Sequence, residues 1–238
     1  MALNLTHYLI IYFMKAPTAR AAFFDLDNTL INGSSLYHFF KGLVKSHEIT
    51  PSCALKFAWE HFKFKQRRSE SAKAIAMATD QSLSFVAGKY QRQIISIAEA
   101  MVENVITKTL FPKMVERVEE HKLMGDHTWI ITAAPTELAE LICEKLGMTG
   151  GVGTCSEVRD GKFTGRLPQG AMHGYRKAER VNLLAKRHGY DLDASFAYSD
   201  SANDLPMLAV VGNPHIVNPD KYLMKVANKN SWPILQAT

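Results

Sequence analysis

The sequence has few cysteines and no long hydrophobic run. Its three cysteines, Cys53, Cys143 and Cys155, form no close pair, which argues against a disulfide framework or a zinc site and favours a reducing cytoplasm. The apolar run at residues 8–14 is far shorter than the ~20 residues that a membrane-spanning helix needs. Because no basic segment precedes this run, it is also unlike a secretory signal.

The first 16 residues are interpreted as an N-terminal extension. Met14 is an alternative start, since the chain from there leads directly into the first motif described below. Membrane contact through residues 8–14 is a second interpretation of the same apolar run, although the run is too short to span a bilayer.

Positive charge is concentrated in one part of the chain. The formal net charge of +5 lies between residues 33 and 110, which contain 11 Lys or Arg and 6 Asp or Glu. The densest cluster is Lys63, Lys65, Arg67 and Arg68. A basic surface attracts anionic substrates, although a solvated helix face explains the same cluster. The neighbouring aromatics recur at helical spacing, which favours a core, so no specific nucleic-acid partner is predicted.

The most informative stretch is AFFDLDNTL at residues 22–30. Hydrophobic residues typical of a buried strand run into two carboxylates, Asp25 and Asp27. The carboxyl ends of strands line the ligand crevice of open α/β sheets, and residues i and i+2 of an extended chain point the same way. The pair can therefore converge on one substrate, one as a nucleophile and the other as a proton carrier. A helix cap or a turn is the structural alternative.

Two further segments are typical of anion-binding elements. The run TWIITAAP at residues 128–135 passes through Thr132 and Ala133 before a predicted helix, and a hydroxyl with backbone N–H groups at a helix start makes a phosphate cradle. Lys177 is predicted in the first turn of a later helix, where a cation opposes the helix dipole. Local anomalies of this kind occur at functional sites. An ordinary strand-end threonine and a surface lysine are the alternatives.

A last strand-like run leads to two more carboxylates. The segment AYSDSANDLPML at residues 197–208 places Asp200 at a strand end and Asp204 four residues later. Mg2+ takes one or two carboxylates together with water and substrate phosphate, so this pair is predicted to hold a divalent cation. Asp204 also suits a helix cap.

The hydrophobic periods predict an α/β fold with a helical insertion. Strands are predicted at 21–24, in the run that leads to Thr132, and near 151–155, 195–199 and 214–217. A hairpin with an Asp-Gly turn is predicted at 157–164. Helices are predicted at 34–46 and 51–65, as one or two over 82–105, and near 113–124 and 136–146. Because no strand signal interrupts residues 34–110, this insertion is predicted to be an all-helical cap on a core of residues 17–33 and 111–238.

In this order the motifs resemble the haloacid dehalogenase superfamily of phosphotransferases, in its phosphoserine-phosphatase-like subfamily IB with a helical cap after the first motif. The resemblance covers about residues 17–235. It implies a Rossmann-like, three-layer core with a mostly parallel sheet. It also implies a Mg2+-dependent phosphomonoester hydrolase that forms an aspartyl-phosphate, with Asp25 as the nucleophile and Asp27 as the general acid and base.

The resemblance implies the other roles as well. Mg2+ would be held by the carboxylates of Asp25 and Asp200 and the main-chain carbonyl of Asp27, with Asp204 beside the metal waters and Lys177. Phosphoryl oxygens would be bound by Thr132, Ala133 and Lys177, and the substrate would be contacted by Asn203.

The small phosphorylated substrate is left open. Similar phosphoserine phosphatases place a glutamate soon after the first motif, whereas here the first acid is Glu48. Histidinol phosphate and a lipid phosphate of the phosphatidylglycerophosphate type are therefore alternatives, and so is a phosphomutase, which shares these groups. A phosphate-ligand sensor is the alternative outside enzymes. Dehalogenases of the superfamily lack the second carboxylate, so Asp27 favours phosphate chemistry.

Overall fold

The protein is represented by a computed structural model that describes residues 19–50, 86–219 and 221–237. The strands are β1 (Ala21–Phe24), β2 (His127–Pro135), β3 (Gly150–Thr154), β4 (Val158–Arg159), β5 (Lys162–Phe163), β6 (Phe196–Ser199), β7 (Asn213–Val217) and β8 (Ile234–Leu235). Six of them form one parallel sheet in the order β3-β2-β1-β6-β7-β8. The other two, β4 and β5, form an antiparallel hairpin.

Helices cover both faces of this sheet. They are α1 (Ser35–Lys45), α2 (Gln91–Met101), α3 (Pro112–Leu123), α4 (Thr136–Lys145), α5 (Tyr175–His188), α6 (Leu205–Leu208) and α7 (Lys221–Asn230). A π-helical turn, Val102–Ile106, and a short helical turn, Thr107–Thr109, continue α2, and a 3-10 turn, Ala202–Asp204, precedes α6.

Alternate residues of β1 belong to two separate hydrophobic cores, one on each face of the sheet. Ala22 and Phe24 pack with α3, α4 and the helices of the insertion on one face. Ala21 and Phe23 pack with α5, α6 and α7 on the other. Because β1 is buried on both faces, its sequence is continuously apolar, as expected for a central strand of a parallel sheet. The layers are therefore helix, sheet and helix.

The hairpin of β4 and β5 connects the core to the insertion. The Phe163 N–H donates to the Lys89 carbonyl at 3.0 Å, and the Gly88 N–H donates to the Phe163 carbonyl at 2.7 Å. Tyr90 bridges to Lys162, whose ammonium lies 4.6 Å from the tyrosine ring centroid. The insertion thus meets the core through extended backbone as well as through helices.

The predicted Rossmann-like α/β fold with a mostly parallel sheet is confirmed. The expectation that the strand near 214–217 is the last one was wrong, because β8 pairs in parallel with β7. A strand of only two residues is too short to show alternation in the sequence. Within residues 34–50 and 86–110 of the insertion no strand is seen, and Tyr90 forms an isolated bridge to Lys162 of the hairpin.

Some predicted features lie outside the described residues. These are the apolar run at 8–14, the helix at 51–65 and the basic cluster at 63–68. The helix predicted over 82–105 is seen as α2 and its π-helical continuation, preceded by a turn at 86–89. Within the described ranges, no helix is long and apolar enough to cross a bilayer.

A buried polar network ties α3 to the sheet. Nδ1 of His121 lies 2.8 Å from Asp126 Oδ2, and Nε2 lies 2.8 Å from the Tyr198 hydroxyl. Because a carboxylate can only accept, Nδ1–H donates to Asp126 and the Tyr198 O–H donates to Nε2. The other oxygen of Asp126 accepts from Arg20 at 2.8 Å. Burial lowers the pKa of His121, although Asp126 opposes this shift.

Replacing His121 should destabilise the fold. His121→Ala leaves the Tyr198 hydroxyl and one Asp126 oxygen buried without a partner, so we expect a loss of about 3 kcal/mol in the free energy of unfolding. Because the folded pKa of His121 lies below the unfolded value, its contribution is present above about pH 6.5 and fades as the pH falls. Denaturant titrations at several pH values measure both effects.

The control is Glu116→Ala, an exposed position on the same helix. A loss in His121→Ala no larger than that in the control would show that the network contributes little.

Candidate active site

Two neighbouring parallel strands deliver acidic residues to one edge of the sheet. Asp25 follows β1 directly, and Asp200 follows β6 directly. The Asp25 N–H donates to the Tyr198 carbonyl at 2.9 Å, so the pairing of the two strands continues up to the first carboxylate. The carboxyl ends of β1 and β6 therefore form the crevice that open α/β sheets use for ligands.

Lys177 lies at the centre of this crevice. Its Nζ is 2.6 Å from Asp25 Oδ1 and 2.7 Å from Asp204 Oδ2. All three residues are buried, with 3%, 6% and 3% of Lys177, Asp25 and Asp204 exposed. The lysine sits in the first turn of α5, and Gly174 before the helix has φ +51°, a value that favours glycine. The predicted surface-lysine alternative is therefore wrong.

The charges in this cluster shift one another's titration. Burial alone would lower the pKa of Lys177, but attraction to Asp204 and Asp25 outweighs burial and raises it. Burial raises the pKa of Asp25 well above its usual value, and Asp204 and Asp200 add to this rise while Lys177 opposes it. One lysine therefore does not offset all the negative charge collected here.

Thr29 links the first and last motifs. Its hydroxyl oxygen lies 3.5 Å from Asp25 Oδ2 and 3.4 Å from Asp200 Oδ1, and it accepts the Asp200 N–H at 3.0 Å. Burial, followed by the repulsion of Asp204, raises the pKa of Asp200 to about 7. Asp25 and Asp200 are thus held on either side of one hydroxyl.

Asp27 is held by the insertion. The Ser35 N–H, in the first turn of α1, donates to Asp27 Oδ1 at 2.9 Å. A closed loop makes this possible, because the Asn28 side chain accepts the Gly33 N–H at 3.1 Å and Gly33 has φ +97°. Burial raises the pKa of Asp27, while its contacts with Ser35 oppose the rise. A raised pKa suits a carboxyl group that must carry a proton.

Thr132 and Ala133 lie in β2, close to its junction with α4. The Ala134 N–H donates to Thr132 Oγ1 at 3.1 Å, which leaves the hydroxyl proton of Thr132 available to a ligand. The Ala133 carbonyl accepts the Thr154 hydroxyl at 2.7 Å, which anchors this loop to β3. Neither residue is hydrogen-bonded to the carboxylates described above, so the phosphate cradle stays a prediction.

Asn203 lies in the 3-10 turn before α6. Its N–H donates to the Ser201 hydroxyl at 3.2 Å, a capping contact. No hydrogen bond in the described part of the chain joins its side chain to the acidic cluster, so its role toward a substrate stays a prediction.

Sequence reasoning did not single out Thr29, Ser35 or Ser199. The Ser199 hydroxyl donates to Asp204 Oδ2 at 2.7 Å and so fixes the carboxylate that faces Lys177. Thr29 lies inside the first motif and Ser199 directly precedes Asp200, so their positions in or next to a motif could have marked both as candidate site residues. Nothing in the local sequence marks Ser35, because only the fold brings it to Asp27.

The acidic cluster fits a divalent cation. Asp25 and Asp204 contact one buried cation, Lys177, and Asp200 lies beside Asp25 across the Thr29 hydroxyl, so three carboxylates share one ammonium group. Carboxylate oxygens are the donors that Mg2+ prefers. Within the described ranges no three His, Cys, Asp or Glu side chains form a ready metal cage.

Comparison with known proteins assigns the family. A model of the haloacid dehalogenase-like hydrolases matches residues 22–209. The chain belongs to this family. A phosphoserine phosphatase of Mycobacterium tuberculosis is 39% identical over 214 residues, which cover 90% of this chain and 70% of that protein. A histidinol-phosphatase of Neisseria meningitidis is 29% identical over 218 residues, which cover 90% of this chain and 97% of that protein.

Solved structures share the fold. A protein of unknown function from Bordetella pertussis has a TM-score of 0.83 at 28% identity, covering 93% of this chain and 100% of that one. A phosphoserine phosphatase solved as a phospho-aspartyl intermediate analogue has a TM-score of 0.65 at 18% identity, covering 93% and 94%. At that identity the second likeness shows the fold alone. The expectation of an enzyme of the phosphatase type is confirmed at the level of the family.

Removing the central cation should destabilise this haloacid dehalogenase-like hydrolase. Lys177→Met leaves Asp25 and Asp204 buried without a counter-charge, so we expect the free energy of unfolding to fall by about 3 kcal/mol in metal-free buffer. Adding Asp204→Asn removes one of the two buried carboxylates that lack a counter-charge and should restore part of the lost free energy of unfolding. Urea titrations of the wild type, both single variants and the double variant measure the coupling.

The matched control is Lys186→Met, an exposed position on the same helix. Equal stability of Lys177→Met and the control would contradict a buried ion pair at this place.

Proposed function

We propose that the protein is a Mg2+-dependent phosphomonoester hydrolase that works through an aspartyl-phosphate on a small phosphorylated metabolite. The observation that carries the proposal is the buried contact of Lys177 with both Asp25 and Asp204 beside Asp200. A nucleophilic carboxylate, a phosphate-binding cation and a metal-binding acid thus share one crevice at the carboxyl ends of two strands.

In the first step Asp25 attacks phosphorus. A bond forms between a carboxylate oxygen and phosphorus, and the bond from phosphorus to the leaving oxygen breaks. Lys177, placed 2.6 Å from Asp25 Oδ1, offsets charge that would otherwise repel an anionic nucleophile from a phosphate. The free O–H of Thr132 donates to a phosphoryl oxygen. Such prearranged electrostatics carry most of the rate in phosphoryl transfer.

Asp27 carries the protons. It gives its proton to the leaving oxygen, which departs as an alcohol, and it then takes a proton from the water that hydrolyses the aspartyl-phosphate. The second step returns Asp25 as a carboxylate and releases inorganic phosphate. The raised pKa of Asp27, caused by its burial, supports its protonated form in the first step.

The metal would be held by the carboxylates of Asp25 and Asp200 and by the main-chain carbonyl of Asp27. When bound, it supplies positive charge that stabilises phosphoryl oxygens and keeps the carboxylates ionised. Asp204, held by Lys177 and Ser199, is better placed to fix the lysine than to meet a metal directly.

The organic part of the substrate would lie in a small cavity between the insertion and the core. The cavity is lined mostly by apolar side chains, among them Phe39, Pro135 and Phe163, and also by Glu137, whose Oε1 accepts a hydrogen bond from Gln91 Nε2 at 3.3 Å. A carboxylate in an apolar wall attracts a cation. Serine phosphate and histidinol phosphate, named for two relatives, both carry an amine, so we propose a phosphorylated amine as the substrate class.

The first experiment measures phosphate release from a panel of phosphomonoesters with Mg2+ and with EDTA. We expect release with Mg2+ and a loss of at least about 100-fold with EDTA or in Asp25→Asn, because the nucleophile and the charge that stabilises phosphoryl transfer are then missing. Circular dichroism checks that Asp25→Asn stays folded. Activity retained in that variant would contradict the scheme, and binding of phosphate without release from any ester would point to a sensor.

A second experiment tests Glu137. We expect Glu137→Gln to raise KM about 10-fold for phosphoethanolamine, which corresponds to the loss of ~1.4 kcal/mol of attraction to an amine. The KM for 2-hydroxyethyl phosphate, which has a hydroxyl in place of the amine, should change little. The control is Glu144→Gln, an exposed position on the same helix. Equal changes for both substrates would exclude Glu137 as the amine-binding group.

A further inference from the structure

Ser35 joins the insertion to the proton-carrying carboxylate. It is the first residue of α1 and is completely buried. Its backbone N–H donates to Asp27 Oδ1 at 2.9 Å. Ser34, the residue before it, caps the helix through its side chain, which accepts the Tyr37 N–H at 3.4 Å. The capping role is therefore filled by Ser34, and the Ser35 side chain is not needed for it.

The Ser35 hydroxyl has no hydrogen-bond partner. Among residues 19–50, 86–219 and 221–237 it is the single buried side-chain oxygen or nitrogen in this condition. A buried hydroxyl without a partner destabilises the folded state, because its hydrogen bonds to water are lost on folding and are not replaced. Alanine would fill nearly the same space with a higher helix propensity and no such cost. The fold alone therefore gives no reason for a serine, and an unpaired buried group of this kind calls for a specific explanation.

The neighbour that can use this hydroxyl is Asp27. Its carboxyl group adjoins Ser35, because Asp27 Oδ1 accepts the Ser35 N–H at 2.9 Å, whereas the Ser35 hydroxyl makes no hydrogen bond within 3.5 Å. A carboxylate accepts several hydrogen bonds, whereas a protonated carboxyl group accepts fewer and donates one. The hydroxyl would thus gain a partner when Asp27 loses its proton.

We propose that Ser35 is the positioning residue for Asp27, and that its hydroxyl donates to the Asp27 carboxylate as the proton passes to the leaving oxygen. The inference rests on the proposed function. The Ser35 N–H fixes one carboxyl oxygen, the other oxygen gives its proton to the leaving group, and Ser35 keeps its own proton throughout. Because Ser35 lies on α1, proton transfer is efficient only while the start of this helix is seated on the core.

Leaving groups of different basicity separate this role from a structural one. The leaving group of glycerol 2-phosphate, the alkoxide of glycerol, is strongly basic and needs a proton as it departs, whereas p-nitrophenolate, the leaving group of p-nitrophenyl phosphate, is weakly basic and departs without one. In Ser35→Ala we expect kcat/KM for glycerol 2-phosphate to fall about 10-fold or more, since a well-placed proton donor contributes 10²–10⁴-fold. For p-nitrophenyl phosphate it should fall less than about 3-fold. Because both values come from one preparation, their ratio is independent of the folded fraction.

The variant should be folded, with a melting temperature equal to or above that of the wild type. Ser35→Cys, which keeps the volume but donates weakly, should give an intermediate ratio. The control is Ser96→Ala, an exposed serine on α2, which should leave the ratio unchanged. An equal fall for both substrates in Ser35→Ala, or no fall, would overturn the proposal. If the wild type released phosphate from neither ester, the proposed function would fail instead.

Discussion

The contact on which the site depends is a buried lysine shared by two carboxylates. Lys177 reaches Asp25 across 152 positions of sequence and Asp204 across 27. Three buried ionised groups are tolerated only as a set, because each alone would be too costly to remove from water. The need to keep them together fixes the start of α5 against the ends of β1 and β6, and thereby fixes the crevice in which any phosphate would bind.

A second constraint concerns the insertion. A tight loop closed by the hydrogen bond between Asn28 and Gly33 returns the chain to Asp27, so α1 begins beside the active-site crevice. The hairpin holds the insertion at Gly88 and Lys89 through backbone hydrogen bonds to Phe163. Since both attachments are short, a movement of the insertion would directly change the position of the Asp27 side chain. The same region lines the apolar cavity, so proton transfer and substrate choice share one structural element.

The relatives separate what is general from what is particular. Phosphoserine phosphatases at 18% identity keep the fold, so the parallel sheet and the places of the strand ends tolerate nearly complete change of sequence. Under the proposed function, the substrate would be selected where the insertion faces the core, at Phe39 and Glu137. Fold likeness therefore says little about the substrate, and the chemistry of these side chains says more.

The sequence by itself determined the α/β class, the order of the motifs and the acidic residues at strand ends, because apolar runs and their polar ends are local signals. It also pointed to Lys177 through the oddity of a cation in a first turn. Only the tertiary structure decided that Thr29 lies between Asp25 and Asp200, that Ser35 holds Asp27 and that β8 extends the sheet. Thr29 and Asp200 are 171 positions apart, the contact of Ser35 with Asp27 depends on how the loop between them closes, and β8 has only two residues, so no local pattern records these features.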